Sequence, residues 1–236
     1  MKYAIIAAGE GSRLASEGIG MAKPLIGVGG ETLIDRLTRI FMANDATEID
    51  VVCNGLHQQV ADRLEALRLS GVPLRYLVQT TASSMHSLYV LSPLLEGKPF
   101  VLTTVDTIFR EDEFTRYVSE FQQMTVTGEA DGLMGVTTYI DDERPLYLQA
   151  DAEGVITAFT DADSHPHYIS GGIYGLTPRS LDTLRRCVER GESRMRNFQR
   201  AMLSDGLRLK AFPFSKVLDI DHASDIKKAE LFISER

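Results

Sequence analysis

Residues 3 to 8, YAIIAA, form an unbroken apolar run that leads directly into GEGSRLASEGIGMAKPL at 9–25. A short run without apolar–polar alternation fits a strand covered on both faces, and such strands belong to sheets sandwiched between helices. The segment after it must turn sharply. Gly9 and Gly11 permit the turn and let backbone N–H groups face an anion, with Ala7, Ala8 and Ser12 at the same edge. Arg13 and Lys23 bring fixed positive charge to that place. A ligand with several phosphates would satisfy all of these groups together. Two other phosphate loops do not fit: a G-x-G-x-x-G reading meets Leu14 where its third glycine should stand, and no G-x-x-x-x-G-K-[ST] occurs.

The first half of the chain alternates strand and helix patterns. A helix is predicted over Thr32–Ala43, with Leu33, Leu37, Ile40 and Phe41 on one face, then a strand over Glu48–Asn54. A helix around Val60, Leu64 and Leu67 follows, then a strand over Leu74–Gln79, a helix over Ser84–Leu95 and an apolar strand over Phe100–Val105. Repeated β-α-β implies a largely parallel sheet with right-handed crossovers. In the second half, Asp131–Tyr139, Tyr147–Ala150, Val155–Thr160 and Tyr168–Leu176 read as strands, with a hairpin turn at Glu153–Gly154. No linker, repeat or low-complexity segment divides residues 1–236, so a single domain is expected.

Ala7, Ala8, Gly9, Gly11, Arg13 and Leu14, followed by Lys23, Pro24 and Leu25, resemble the signature A-A-G-x-G-x-R-[LM] … P-K-P-L. It belongs to the nucleotidyltransferases that make nucleoside-diphosphate sugars and related activated compounds. Ala22 stands in place of the usual first proline. The resemblance extends over most of the chain. It implies a Rossmann-like three-layer α/β sandwich with a mixed, mostly parallel central sheet and a small antiparallel extension on the acceptor side. It also implies transfer of a nucleoside monophosphate from an NTP to a phosphorylated acceptor, with Mg²⁺ as cofactor and pyrophosphate as leaving group. Arg13 and the loop amides would hold the departing phosphates, and Lys23 would stabilise charge on the α-phosphate.

Family members carry a metal-binding aspartate at the end of the central strand, usually after glycine. In FVLTTVDTIF that position is Asp106, preceded by Val105. The residues point the same way, because strand carboxyl ends form the ligand crevice of open α/β sheets and a carboxylate there suits a hard cation. The second metal element is LDIDHASD at 218–225, which resembles the family's D-I-x-x-x-x-D or the E-I-D of phosphocholine cytidylyltransferases. Asp219 and Asp221 alternate along the chain and project to one side, and either could join Asp106 in holding Mg²⁺. Asp225 reads as a first-turn helix residue, and His222 as a bystander.

Relatives place a polar group facing the base near Gln79. The next segment, ASSMHSLY at 82–89, resembles T-N-N-x-x-S-L-Y of the phosphocholine enzymes, with Ser83 and Ser84 as either helix caps or ligand contacts. For the acceptor, YISGGIY at 168–174 resembles the family's glycine-containing strand, with Gly171 and Gly172 permitting close approach. The usual E-K-P before it is absent from FTDADSHPHY, which counts against a standard hexose 1-phosphate. Lys216 could supply a compensating phosphate contact or simply be solvated. Tyr89, Tyr147, Tyr168 and Tyr174 are available for an aromatic cage around a quaternary ammonium.

Composition sets outer limits. A formal net charge of −8 argues against a nucleic-acid surface, and no stretch approaches the ~20 apolar residues of a membrane span. The first strand begins too early for a signal peptide, and Cys53 and Cys187 lack metal-ligand spacing, so reduced thiols and a cytoplasmic location are expected. The sequence leaves a homo-oligomer open. The best reading is a metal-dependent nucleotidyltransferase acting on an NTP and a sugar 1-phosphate or phosphocholine-like acceptor. A nucleotide-sugar-dependent glycosyltransferase and a noncatalytic nucleotide sensor are the alternatives.

Overall fold

A computed structural model describes residues 1–141, 144–162 and 168–235. The chain starts with strand β1 (Lys2–Ala7), a short helix α1 (Ser12–Ser16) and a 3₁₀ turn at Lys23–Leu25. A two-stranded ribbon, β2 (Gly27–Val28) and β3 (Glu31–Thr32), precedes helix α2 (Leu33–Ala43). Then come β4 (Glu48–Cys53), α3 (Gln58–Leu69), β5 (Leu74–Val78), α4 (Ser84–Leu95), β6 (Phe100–Thr104), β7 (Thr107–Ile108) and α5 (Glu111–Thr127). The second half contributes β8 (Gly132–Thr137), β9 (Tyr147–Ala150), β10 (Ile156–Thr160), β11 (Tyr168–Leu176), α6 (Arg179–Glu189), α7 (Met195–Ser204), β12 (Leu209–Phe214), β13 (Leu218–Asp219) and α8 (Ala223–Ser234).

The main sheet runs β10-β9-β11-β6-β1-β4-β5, and β8 lies against β11 with β12 beyond it. From β6 to β5 every pairing is parallel, as the β-α-β repeats require. Strand β11 reverses direction and joins the two halves: Ile173–Leu176 pair antiparallel with Phe100–Thr103, while Tyr168 and Ile169 reach the β9–β10 hairpin. The expected antiparallel extension is this hairpin together with β8 and β11.

Strand β1 shows why the fold has three layers. All six of its residues are buried, and alternate side chains must point to opposite faces. Tyr3, Ile5 and Ala7 enter one core with α2, α3, α5 and α8, whereas Ala4 and Ile6 enter the other with α4, α6 and α7. The first core is aromatic at its centre. Tyr3 stacks on Phe41 at 4.3 Å between ring centroids, and Phe114 lies 5.7 Å from Phe41, 4.7 Å from Phe109 and 5.9 Å from Tyr117. Tyr117 keeps its hydroxyl satisfied by donating to the Leu133 carbonyl at 2.7 Å.

The predicted helix over 32–43 begins one residue later, because the Thr32 hydroxyl caps it by accepting from the Asp35 N–H. Elements α5, α6, α7 and β12 carry no expectation in the sequence reading above. Helix α5 nevertheless has a readable signal, since Phe114, Tyr117, Phe121 and Met124 recur at spacings of three and four. Both cysteines are buried and free, and burial pushes each thiol up to about 11. Among the described residues no helix is long and apolar enough to cross a membrane.

Phe114 is fully buried and touches four other rings through this cluster. Phe114→Ala is expected to destabilise the protein by about 3–5 kcal/mol, the cost of a large aromatic-to-alanine cavity. Equilibrium denaturation in urea checks it, and a loss under about 1 kcal/mol would mean the aromatic centre repacks.

Candidate active site

The carboxyl ends of β1 and β6 open on one cleft, where the loop after β1 faces Asp106 at the end of β6. Gly11 turns this loop with φ +64°, and a Cβ there would lie 3.6 Å from the Lys23 Cβ. The turn and the 3₁₀ segment carrying Lys23 are thus packed together. Asn54 fixes the loop from below: its buried amide donates to the Ala8 carbonyl at 3.1 Å, while its oxygen accepts from the Leu56 N–H and the Thr80 hydroxyl.

Asp219 reaches the same place by strand pairing. The short ribbon β7–β13 sets Asp219 opposite Thr107, next to Asp106, and the Ile220 N–H donates to the Asp106 carbonyl at 3.2 Å. Ile220 is fully buried, so Asp219 and Asp221 on either side of it both face the cleft. Their surroundings differ. Thr107 donates to Asp219 at 3.2 Å and shares a 2.6 Å hydrogen bond with Thr104. Asp221 instead accepts from Lys23 and Arg13, each at 2.8 Å. Lys23 also forms a very short ion pair with Asp106.

The electrostatics follow from this crowding. Burial works against the Lys23 ammonium, but Asp106 and Asp221 outweigh it and hold the lysine above its ordinary value. Asp219 is exposed where it lines the smaller cavity. The protein packed around its other sides, and then the neighbouring Asp106 carboxylate, push its carboxyl well above the usual range.

Two cavities meet here, and Arg13 and Asp221 line both. The larger, about 620 Å³, is walled by the glycine loop from Ala7 to Ser12, by Lys23 and Asp106, and by Thr81 to Ser84. Ser83 does both things its type allows: its hydroxyl accepts from the His86 N–H as the cap of α4, and it lines the cavity. The smaller, about 190 Å³, is walled by Asp219, Gly171, Ser170, Tyr139, Asp141 and Lys228 among others.

Several predicted positions lie elsewhere. Gln79 is exposed past the end of β5 and lines neither cavity. Lys216 holds its ammonium 4.2 Å from the Tyr139 ring centroid and 5.2 Å from that of Phe232, outside both linings. Tyr89, Tyr147, Tyr168 and Tyr174 are also absent from the smaller cavity, whose described wall has Tyr139 as its aromatic residue. Gly171 and Gly172 form an irregularity in β11, where pairing with β8 jumps from Ser170 to Ile173. A Cβ at Gly172 (φ +72°) would sit 3.2 Å from the Thr107 hydroxyl, and one at Gly171 would sit 3.1 Å from Val217. These glycines therefore let β11 close on the Asp219 ribbon. Of FTDADSHPHY, residues 163–167 lie outside the described residues.

The sequence reading missed Thr104, Thr107, Lys228 and Glu17. Lys228, on α8, pairs with Asp141 at 2.8 Å and Asp225 at 3.2 Å. Glu17, just after α1, ties the glycine loop to the start of α8: it accepts from the Ala223 N–H at 2.7 Å and lies 2.5 Å from His222 Nδ1. His222 is thus a strut of the site.

The chain matches the sequence profile of the nucleotidyl transferase family over residues 2–236, and it belongs to that family. Solved structures share its fold. A provisionally assigned glucose-1-phosphate thymidylyltransferase from Bacillus anthracis, crystallised with sucrose, superposes with a TM-score of 0.85 at 22% identity, covering 100% of this chain and 96% of that one. The inositol-1-phosphate CTP transferase from T. maritima superposes with a TM-score of 0.78 at 18% identity, covering 99% and 96%.

The Glu17–His222 contact has a signed consequence for pH. Glu17 raises the His222 pKa, and His222 lowers that of Glu17. The histidine's contribution to stability is complete below its unfolded pKa and is lost as pH rises through the raised folded value. The glutamate's contribution holds above its unfolded pKa and is lost as pH falls through the depressed one. NMR titration should place His222 above the ordinary ~6.5, and Glu17→Gln should return it toward that value. No change on substitution would remove Glu17 as the cause.

Proposed function

We propose that this nucleotidyltransferase binds an NTP in the larger cavity and a phosphorylated acceptor in the smaller one, joins them where the two meet, and releases pyrophosphate. The observation that carries this reading is the convergence of Arg13, Lys23, Asp106 and Asp219 at that junction. An acceptor phosphate oxygen attacks the α-phosphorus and forms a new P–O bond. The bond from the α-phosphorus to the bridging oxygen breaks, and pyrophosphate leaves with the electron pair. Positioning and charge neutralisation account for such a transfer without a covalent enzyme intermediate. The protein acts as one domain in this scheme, since the site joins the first loop to the last helix.

Asp106 and Asp219 fit a hard cation. They supply carboxylate oxygens from adjacent backbone positions, and the effect of Asp106 on Asp219 is a like-charge repulsion that a divalent ion would relieve. Among the described residues no group of three or more His, Cys, Asp or Glu forms a self-sufficient metal cage. Mg²⁺ needs none, because it usually takes one or two carboxylates plus substrate phosphates. Bound there, with Asp221 able to join it, Mg²⁺ would neutralise phosphate charge as it develops.

The loop amides and Arg13 hold the β- and γ-phosphates, and Lys23 stabilises negative charge at the α-phosphate. With Gln79 outside the cavity, Thr81 to Ser84 would contact the nucleoside, a reading supported by their lining the larger cavity. On the acceptor side, Gly171 forms part of the wall, and Lys216 supports Tyr139 from outside it. Lys228 lines the smaller cavity. It already has two carboxylate partners, so it and Asp141 suit the polar end of the acceptor remote from its phosphate.

The deciding experiment is isotope exchange. Protein with Mg²⁺, labelled pyrophosphate and the correct nucleoside-diphosphate product should regenerate labelled NTP. Asp106→Asn should reduce exchange at least ~10²-fold in folded protein, the scale of losing one preorganised electrostatic group. Lys23→Ala should abolish exchange and lower kcat more than it raises KM for the NTP. Nucleotide binding without exchange, for every nucleoside-diphosphate product tried, would favour a sensor.

Lys228→Met is expected to raise KM for the acceptor about tenfold while leaving KM for the NTP within about twofold, the effect of losing one charged hydrogen bond. Steady-state kinetics with each substrate varied in turn checks this, and equal effects on both would remove Lys228 from acceptor recognition.

A further inference from the structure

We infer that Asp221 is a built-in competitor for the polyphosphate: its carboxylate occupies both cations of the phosphate-binding loop, and an incoming nucleotide must displace it. The inference rests on the phosphate-site reading above. Each Asp221 oxygen has its own cation. Oδ2 accepts from Arg13 and Oδ1 from Lys23, each at 2.8 Å. One carboxylate thus spans two positive groups as a phosphate with two free oxygens would.

The carboxylate cannot simply follow the cations toward the ligand. Its backbone is held by the buried Ile220 on one side, and its own N–H donates to the Asp225 carboxylate at 3.2 Å. The Arg13–Asp221 pair is the exchangeable part, with side chains 56% and 42% exposed, and solvent makes such pairs weak. Lys23 is different. At 11% exposure, and paired also with Asp106, it has little else to turn to.

Charge accounting gives the consequence. Arg13 and Lys23 are balanced by Asp106 and Asp221. A polyphosphate that captures the cations leaves the carboxylates uncompensated, and a divalent cation restores the balance. Asp221 therefore weakens polyphosphate binding when metal is absent and makes nucleotide and metal binding mutually dependent. The expected signature is a split, in which neutralising Asp221 strengthens metal-free anion binding even though turnover falls.

The test is calorimetric titration of inorganic pyrophosphate into the full-length protein in EDTA, a probe independent of the base. Asp221→Asn is expected to bind pyrophosphate about tenfold more tightly than wild type, and Asp221→Ala should shift in the same direction. Asp141→Asn, which removes a carboxylate from the other cavity, should change affinity less than about twofold. The Arg13→Ala/Asp221→Asn double variant should lose most of the gain. Unchanged or weaker binding in both folded Asp221 variants, with Arg13→Ala still weakening the wild type, would overturn the inference while leaving the phosphate site in place. An equal gain from Asp141→Asn would reduce the effect to net charge and overturn it too. Arg13→Ala and Lys23→Ala without effect on pyrophosphate would remove the phosphate site itself.

Discussion

The Lys23 ammonium, held between Asp106 and Asp221, joins the three parts of the chain that make the site: the first loop, the end of the central strand and the segment before the last helix. A lysine so little exposed pays a desolvation cost that only close carboxylates can offset. Removing either carboxylate would therefore disturb the position of the cation as well as the local charge. The same geometry supports the polyphosphate reading, since the groups that neutralise Lys23 are oxygen anions.

The scaffold around this triad is rigid where the chemistry needs it. Asp106 follows a strand buried between two parallel or antiparallel neighbours, and Asp219 is fixed by pairing with Thr107. Glycine at 171 and 172 lets β11 approach that ribbon to distances a side chain would crowd. The loop bearing Arg13 has less support, and its link to the rest runs through Glu17 to the start of α8. A carboxylate at a helix N-terminus is favourable in itself, which explains how a surface contact can orient the loop.

Two cavities of unequal size share Arg13 and Asp221, and this arrangement supports the two-substrate reading. The larger offers backbone amides and cations to an anionic chain. The smaller offers Asp141, Lys228, Ser170 and Tyr139, a mixed set of donors and acceptors suited to a small polar acceptor.

The sequence alone determined the sheet core and the glycine loop that follows β1. The unbroken run of β1 requires two covering layers, and the spacing of Gly9, Gly11, Arg13 and Lys23 lies within one short stretch, where local geometry decides the outcome. It also carried the resemblance that the family match bears out. Only the tertiary structure separated Asp219 from Asp221, because identical residues two apart differ solely in what distant segments bring to them: Thr107 and Asp106 for one, Arg13 and Lys23 for the other. Gln79 and Lys216 lie outside both linings for the same reason, since sequence proximity to a strand end does not fix which way a side chain faces. Lys228 and Glu17 carry no local motif at all. Glu17 acts through the start of α8, 206 residues away, and Lys228 through Asp141, 87 residues away, contacts that no periodicity encodes.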